Sequence, residues 1–330
     1  MGASWAATEH GPSPETVHSY APDASLYPLE PPLWLDELDL SPSPPHLHMG
    51  TKAIPMEDWL VVDGAMPAEL TIRARLLDDR PDDVLAVLSS ADEAAFEVLE
   101  LVRAAVESRP DASPFRGASV ASDATNAPQK PGGAGALDAA GRMVVDDLCL
   151  LIRHDDAWHL DGAVLCFATF WSLSDKLGAP MDLVHAPVAH YDPELTGRLD
   201  RFFDRLPVDR VVRRRNVSFC PGPYLWFPPV TGLAPDRPIA ADGSPWWLRS
   251  ERQTLRRLPR SGAVLFAIRV QHAPLGVLLR RPDIARALHD MADSWDDAMR
   301  AYKVGAADLD DNLLPWLRAA AEGGSGTLGP

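Results

Sequence analysis

Two groups of residues have the types and spacings that chemistry needs. The first lies between Trp246 and Gln271, WWLRSERQTLRRLPRSGAVLFAIRVQ. There Arg249, Arg252, Arg256 and Arg260 recur at intervals of three and four, beside Leu248, Glu251, Leu255 and Leu258 at the same intervals. A row of guanidiniums suits an anionic ligand, because Arg holds carboxylates and phosphates by forked hydrogen bonds. Glu251 falls in the apolar stripe, where an ionised carboxylate is costly unless paired. Arg269, near the end of the following apolar run, needs an acidic partner for the same reason. Glu251 paired with one of these arginines as a structural ion pair is the rival reading. The second group is MDLVHAPVAHYDP (181–193), with His185 and His190.

The elements that position them follow from periodicity. The three-and-four spacing predicts a helix from Trp246 to Leu258, stopped by Pro259 and turned by Ser261-Gly262. Ala263 to Val270 then reads as a strand buried on both faces. His185 follows an apolar triplet and precedes Ala-Pro, so it stands where a strand or helix end meets a rigid turn. A His there is either a hydrogen-bonded structural residue or a donor to a ligand. His190 is close enough to share its pocket.

The 330 residues, 46% hydrophobic, can bury a sizeable core in one or two domains. A formal charge of −16 argues against general nucleic-acid binding and against an acidic membrane surface. Two basic islands interrupt that charge. From Arg198 to Arg215 there are seven Arg against three Asp, and from Arg249 to Arg260 five Arg against one Glu. Cys149, Cys166 and Cys220 have no metal-type spacing and read as buried, inert thiols. No secretory signal is legible, and no apolar run approaches the ~20 residues of a spanning helix, so a cytoplasmic location is expected.

Residues 1–54 are Pro-, Ser- and His-rich and read as a mobile arm, with Leu33-Trp34-Leu35 able to pin it to the body; His46 and His48 read as solvated tail residues. A helical segment over 55–108 follows. It contains helices from Pro67 to Leu77 and from Ala91 to Glu107, the second with a Ser90/Glu93 capping box and an Ala95-Leu99-Val102-Val106 stripe. Residues 109–136 read as a low-complexity linker or loop. From Leu137 a helix leads into VVDDLCLLIRHDD. HLDGAVLCFATFW (159–171) reads as a strand whose turn Asp161-Gly162 can supply. Residues 194–206 make an amphipathic helix, RRRNVSF a strand, and helices are expected from Pro282 to Met299 and from Ala307 to Ala321. The segment 323–330 reads as a flexible tail.

Phosphate loops, G-x-G-x-x-G, H-E-x-x-H and G-x-S-x-G are all missing. Cys220-Pro221-Gly222 is a weak candidate for a thiolate haem loop. A buried His with a row of Arg has another meaning. Haem is a flat apolar ligand with two carboxylates, so its pocket needs an axial donor, aromatic and aliphatic walls, and cations for the propionates. His185, the Phe- and Trp-rich strands and the Arg islands supply those types.

The segments DDLCLL (146–151), LCF...W...KLG (165–178), VHAPV (184–188), RRRN (213–216), RSERQTLRRLPRSGAVLFAIR (249–269) and AYK (301–303) resemble, in this order, the haem-dependent oxidative N-demethylase alpha-subunit family. MEDWLVVD...RARLLDD is similar to its N-terminal region, so the resemblance spans about 56–303. It implies an α+β haem domain with a PAS-like antiparallel sheet, here 137–322, wrapped by N- and C-terminal helices. The implied activity removes a methyl group from a small secondary amine with dioxygen. NADPH would supply the electrons through a flavin and iron–sulfur partner polypeptide. His185 matches the family's motif histidine and is the expected haem b iron ligand. Arg249, Arg252 and Arg256 match its second motif and, with Arg269, are the expected cofactor-binding residues. Glu251 and His190 are the expected catalytic residues. Ala189-His190, LCFATFW and AIRVQ depart from the family pattern and bear on which amine is taken. A non-enzymatic haem sensor and a cofactor-free interaction protein on the same fold are the alternatives.

Overall fold

The computed structural model describes residues 12–40, 50–109, 130–155, 157–191, 193–230, 233, 238–304 and 309–323. His46, His48, residues 110–129 of the low-complexity stretch and residues 324–330 of the tail lie outside them. Seven strands form one antiparallel sheet: β1 Lys52–Ile54, β2 Leu85–Val87, β3 Asp147–His154, β4 Ala157–Val164, β5 Val211–Cys220, β6 Trp247–Arg257 and β7 Val264–Pro274. Their order is β1-β5-β6-β7-β3-β4-β2. With the surrounding helices this is an α+β architecture, in line with the expected class.

The segment expected to be a helix from Trp246 to Leu258 is instead the central strand β6, paired along its length with β5 and β7. Strong helix formers fill RSERQTLRR, but propensity yields to the two ladders on either side. The consequence for the site is large. As a helix, Arg249, Arg252 and Arg256 would share a face; as a strand, successive side chains point to opposite faces. The β7 strand falls where its apolar run predicts.

The helix Met66–Asp79 matches the expected Pro67–Leu77, and Asp92–Glu107 matches Ala91–Glu107 with Ala95, Leu99 and Val102 buried. The capping box does not form. Ser90 turns its hydroxyl to Asp161 Oδ2, and Ala91 occupies the N-cap without a side-chain bond. Asp161-Gly162 is not a turn but lies inside β4, which ends at Val164 rather than continuing to Trp171. The β3–β4 register shifts there, pairing Leu150 with Gly162 and Leu151 with Leu160, so Asp161 is the extra residue of a bulge. Helices also cover Gly132–Gly141, Met181–His185, Pro193–Arg205, Pro282–Asp293, Asp297–Val304 and Leu314–Ala321.

Two apolar clusters hold the sheet. One joins its strands to the helices Met66–Asp79, Asp92–Glu107 and Gly132–Gly141. The other packs the C-terminal helices against Val217, Phe219, Leu248 and Ala273. Trp34 and Leu35 are buried in this second cluster, as the Leu-Trp-Leu pin predicts. Glu37, two residues on, pairs with Arg213 and Arg215. Among the described residues no helix is long and apolar enough to cross a membrane.

Candidate functional site

A cavity of about 300 Å³ opens over one face of the sheet, within the size range of small-molecule sites. Its floor is Asp147, Cys149 and Leu151 of β3, Arg214, Asn216 and Ser218 of β5, Glu251, Gln253 and Leu255 of β6, and Phe266 and Ile268 of β7. All alternate in register, so period two puts each on the same face. Residues Phe167 to Trp171, the turn before His185, and the helix Pro193–Arg205 through Leu195, Leu199 and Phe203 close the other side.

His185 ends the helix Met181–His185 and lines this cavity. Its Nδ1 lies 2.8 Å from Met181 O, and its ring stacks on Tyr191 at 5.0 Å and 12°. Burial pulls its pKa down to about 4, helped by Lys176 and Arg214, although the bond to Met181 opposes the shift. The ring is therefore neutral at pH 7. A neutral ring with Nδ1–H donating to a carbonyl presents Nε2 as a lone-pair donor, the arrangement seen behind metal-bound histidines.

Glu251 also reaches the cavity. Thr169 Oγ1 donates to its Oε1 at 2.6 Å and Gln253 Nε2 to its Oε2 at 3.0 Å. The ion pair expected between Glu251 and a row arginine is absent among the described residues. Arg249 instead donates Nε to Thr169 Oγ1 at 2.8 Å and spends its other nitrogens on the carbonyls of Phe167, Tyr224 and Leu225 and on His272. It is fully buried behind the cavity wall.

The other three expected cofactor arginines lie on the far face of the sheet. Arg252 donates to Asp58 O and Trp59 O, and Arg256 stacks its guanidinium over the Trp59 ring at 5.3 Å. Arg269 does find the acidic partners its burial demanded: Glu69 at 2.6 Å and Asp63 at 2.8 Å. Burial alone would favour its neutral form, but these two carboxylates outweigh that and hold it protonated. None of the three lines the cavity, because β6 and β7 alternate. His190 is outside as well. It sits in the left-handed region with φ 61°, exposed, its Nε2 2.8 Å from Asp296.

The cavity has its own cations: Lys176, Arg214 and Lys303. Lys303 donates to Asn216 Oδ1 and Val217 O. Lys176 stands over the Trp171 ring at 4.5 Å. Burial draws the pKa of each lysine down to about 8, with Asp175 opposing at Lys176 and Glu251 at Lys303. Arg214 belongs to the Arg198–Arg215 island, one of the two read as a source of propionate cations, whereas Lys176 and Lys303 have no role in that reading although KLG and AYK are both singled out. A helix over RSERQTLRR would gather its arginines on one face, while the strand sends Arg252 and Arg256 away from the cavity. The three cysteines are buried, and burial raises their thiol pKa values, fitting inert thiols.

One neutral imidazole, an aromatic wall and flanking cations line a single cavity of an α+β protein. A family model described as haem-dependent oxidative N-demethylase, alpha subunit-like, matches residues 50–312. The chain belongs to that family.

Proposed function

We propose that the chain binds haem b on a PAS-like sheet and acts as an oxidative N-demethylase-like monooxygenase, removing a methyl group from a small secondary amine. The observation that carries this reading is the neutral His185 ring inside an aromatic cavity, its Nδ1 anchored to Met181 O. The donor set fits the cofactor. His185 Nε2 would be the donor to the iron, Phe167, Phe170 and Phe266 would supply apolar wall, and Arg214 and Lys303 would hold the propionates in place of the arginine row.

Bound haem would supply the reductive activation of dioxygen. The chain's own residues do the rest. Glu251, oriented by Thr169 and Gln253, accepts an N–H of the amine and fixes its position. Arg249 holds the Thr169 hydroxyl in the direction that makes it donate to Glu251. The apolar floor of Leu255, Phe266 and Ile268 limits water near the reacting groups.

Electrons come from NADPH through a flavin and iron–sulfur partner polypeptide. The helix Pro193–Arg205 offers it a surface: Leu195, Leu199 and Phe203 line the cavity, while Arg198, Arg201 and Arg205 are exposed. These arginines alternate with Glu194, Asp200 and Asp204 on the same helix, so the outer face is mixed in charge and would pair its arginines with acidic groups of a redox partner. The test is turnover of the haem-loaded chain with NADPH and a methylated amine. Formaldehyde release should require added reductase and should slow as salt rises. Failure to release it with a competent reductase and a panel of secondary amines would contradict the reading.

A further inference from the structure

Lysine is scarce in this chain. Of its 31 Lys and Arg residues only Lys52, Lys130, Lys176 and Lys303 are lysine. Two of the four line one cavity. Where a cation alone is wanted Arg serves, as it does throughout the sheet, but only Lys can shed its proton and become a nucleophile near neutral pH.

The two differ in their surroundings. Lys303 is engaged with Asn216 and Val217. The Lys176 amine has no hydrogen bond and no carboxylate within ion-pair distance among the described residues, although Asp175 and Glu251 act on it from further away; its contact is the face of Trp171. It follows the short turn Leu173–Asp175, half-buried, and lines the same cavity as Cys149, Met181 and His185. An amine in a largely apolar cavity with no carboxylate in ion-pair contact is the usual setting of Schiff-base lysines, and burial has drawn this one down to about 8 against the longer-range pull of Asp175 and Glu251.

We propose that Lys176 is a carbonyl-reactive amine that captures a small aldehyde in the cavity as a reversible imine. The neutral Nζ attacks the carbonyl carbon, the C=O π pair moves to oxygen, and a proton passes from nitrogen to oxygen to give a carbinolamine. Loss of water leaves the C=N bond, and water addition reverses both steps. No oxidant or reductant is consumed. The inference rests on the demethylase reading only for the identity of the aldehyde, which would be its one-carbon product. Capture beside the site of release would delay escape of a reactive product.

The experiment is brief labelling of the full-length folded chain at pH 7 with substoichiometric ¹³C-formaldehyde and cyanoborohydride, read by peptide mass spectrometry at all four lysines. The hydride converts each imine to a stable methylamine. At pH 7 an amine of pKa about 8 is roughly a hundred-fold more often neutral than an ordinary lysine, so even with its lower intrinsic nucleophilicity Lys176 should be methylated at least ten-fold faster than exposed Lys52. Its rate should level off above pH 8 while that of Lys52 keeps rising, and unfolding in urea should erase the difference. Labelling of Lys176 no faster than Lys52, or a preference that survives unfolding, would overturn the proposal. The labelling needs neither haem nor amine. A chain that takes up no haem would remove the demethylase reading and leave this result standing; an unreactive Lys176 in a chain that does release formaldehyde would remove the aldehyde site alone.

Discussion

Thr169 Oγ1 stands between a buried cation and a cavity carboxylate, accepting from Arg249 Nε at 2.8 Å and donating to Glu251 Oε1 at 2.6 Å. The guanidinium can only donate and the carboxylate oxygen accepts, so the single hydroxyl proton points at Glu251 and the relay fixes its orientation without an ion pair. Thr169→Val removes both bonds and leaves Arg249 Nε buried and unpaired, at a cost of about 1–3 kcal/mol. Urea unfolding should show that loss for Thr169→Val, and Thr169→Ser should recover most of it. Equal stability of all three chains would mean the relay orients nothing.

Arg269 is the base of a buried charge cluster with Glu69 and Asp63, on the face of the sheet away from the cavity. Removing one partner of a buried pair typically costs ~3–5 kcal/mol, because the other charge is left uncompensated. Arg269→Met should show a loss of that order in its urea midpoint, while the fraction that remains folded binds haem with unchanged affinity. A selective loss of haem affinity in a fully stable Arg269→Met protein would restore the arginine to the cofactor.

Arg214 and Lys303 are the cavity cations proposed to hold the propionates. A charge-assisted hydrogen bond is worth ~1.5–3 kcal/mol, so Arg214→Met and Lys303→Met should each weaken haem binding by roughly ten-fold to a hundred-fold. Arg256→Met, stacked on Trp59 on the other face, should leave haem affinity in place. Titration of apo-protein with haem measures all three, and the reverse pattern would favour the original arginine row.

The fold was partly legible in the sequence. The β7 strand, the helices Met66–Asp79 and Asp92–Glu107 and the Trp34-Leu35 anchor follow from apolar spacing, which reports burial directly. The β6 strand was not legible, because a central strand between two solvent-shielded faces can carry charge on both. Arg252 answers backbone carbonyls and Arg256 the Trp59 ring on one side while Glu251 and Gln253 face the cavity on the other, and that hides the period of two. Of the cavity lining, His185 and Glu251 stand out in the sequence, His185 beside Ala-Pro and Glu251 in an apolar stripe that depends on a helix the strand replaces. Lys176 and Lys303 sit in ordinary helix and turn sequence, and only the fold brings them to the same cavity. His190, adjacent in sequence to the VHAPV turn, is turned outward to Asp296 by its left-handed backbone.

The depressed pKa of His185 has a consequence for stability. Its folded value of about 4 lies below the ~6.5 of an unfolded histidine. Between those values the unfolded chain binds more protons, so this contribution is full above pH 6.5 and is lost as pH falls toward 4. The haem-free chain should therefore lose more stability from pH 7 to pH 5 than His185→Gln does. Parallel losses in the two, followed by urea midpoints, would mean that His185 is solvated in the folded protein.

The absorption spectrum of the haem-titrated chain, beside that of His185→Gly with and without imidazole, addresses the axial ligand itself. The native chain should bind one haem with a sharp Soret band. His185→Gly should lose that band while its far-ultraviolet circular dichroism stays native, and added imidazole should bring the band back by filling the space the ring vacated. A His185→Gly protein that keeps the native Soret band without imidazole would contradict His185 as the iron's donor, and with it the placement of haem in this cavity.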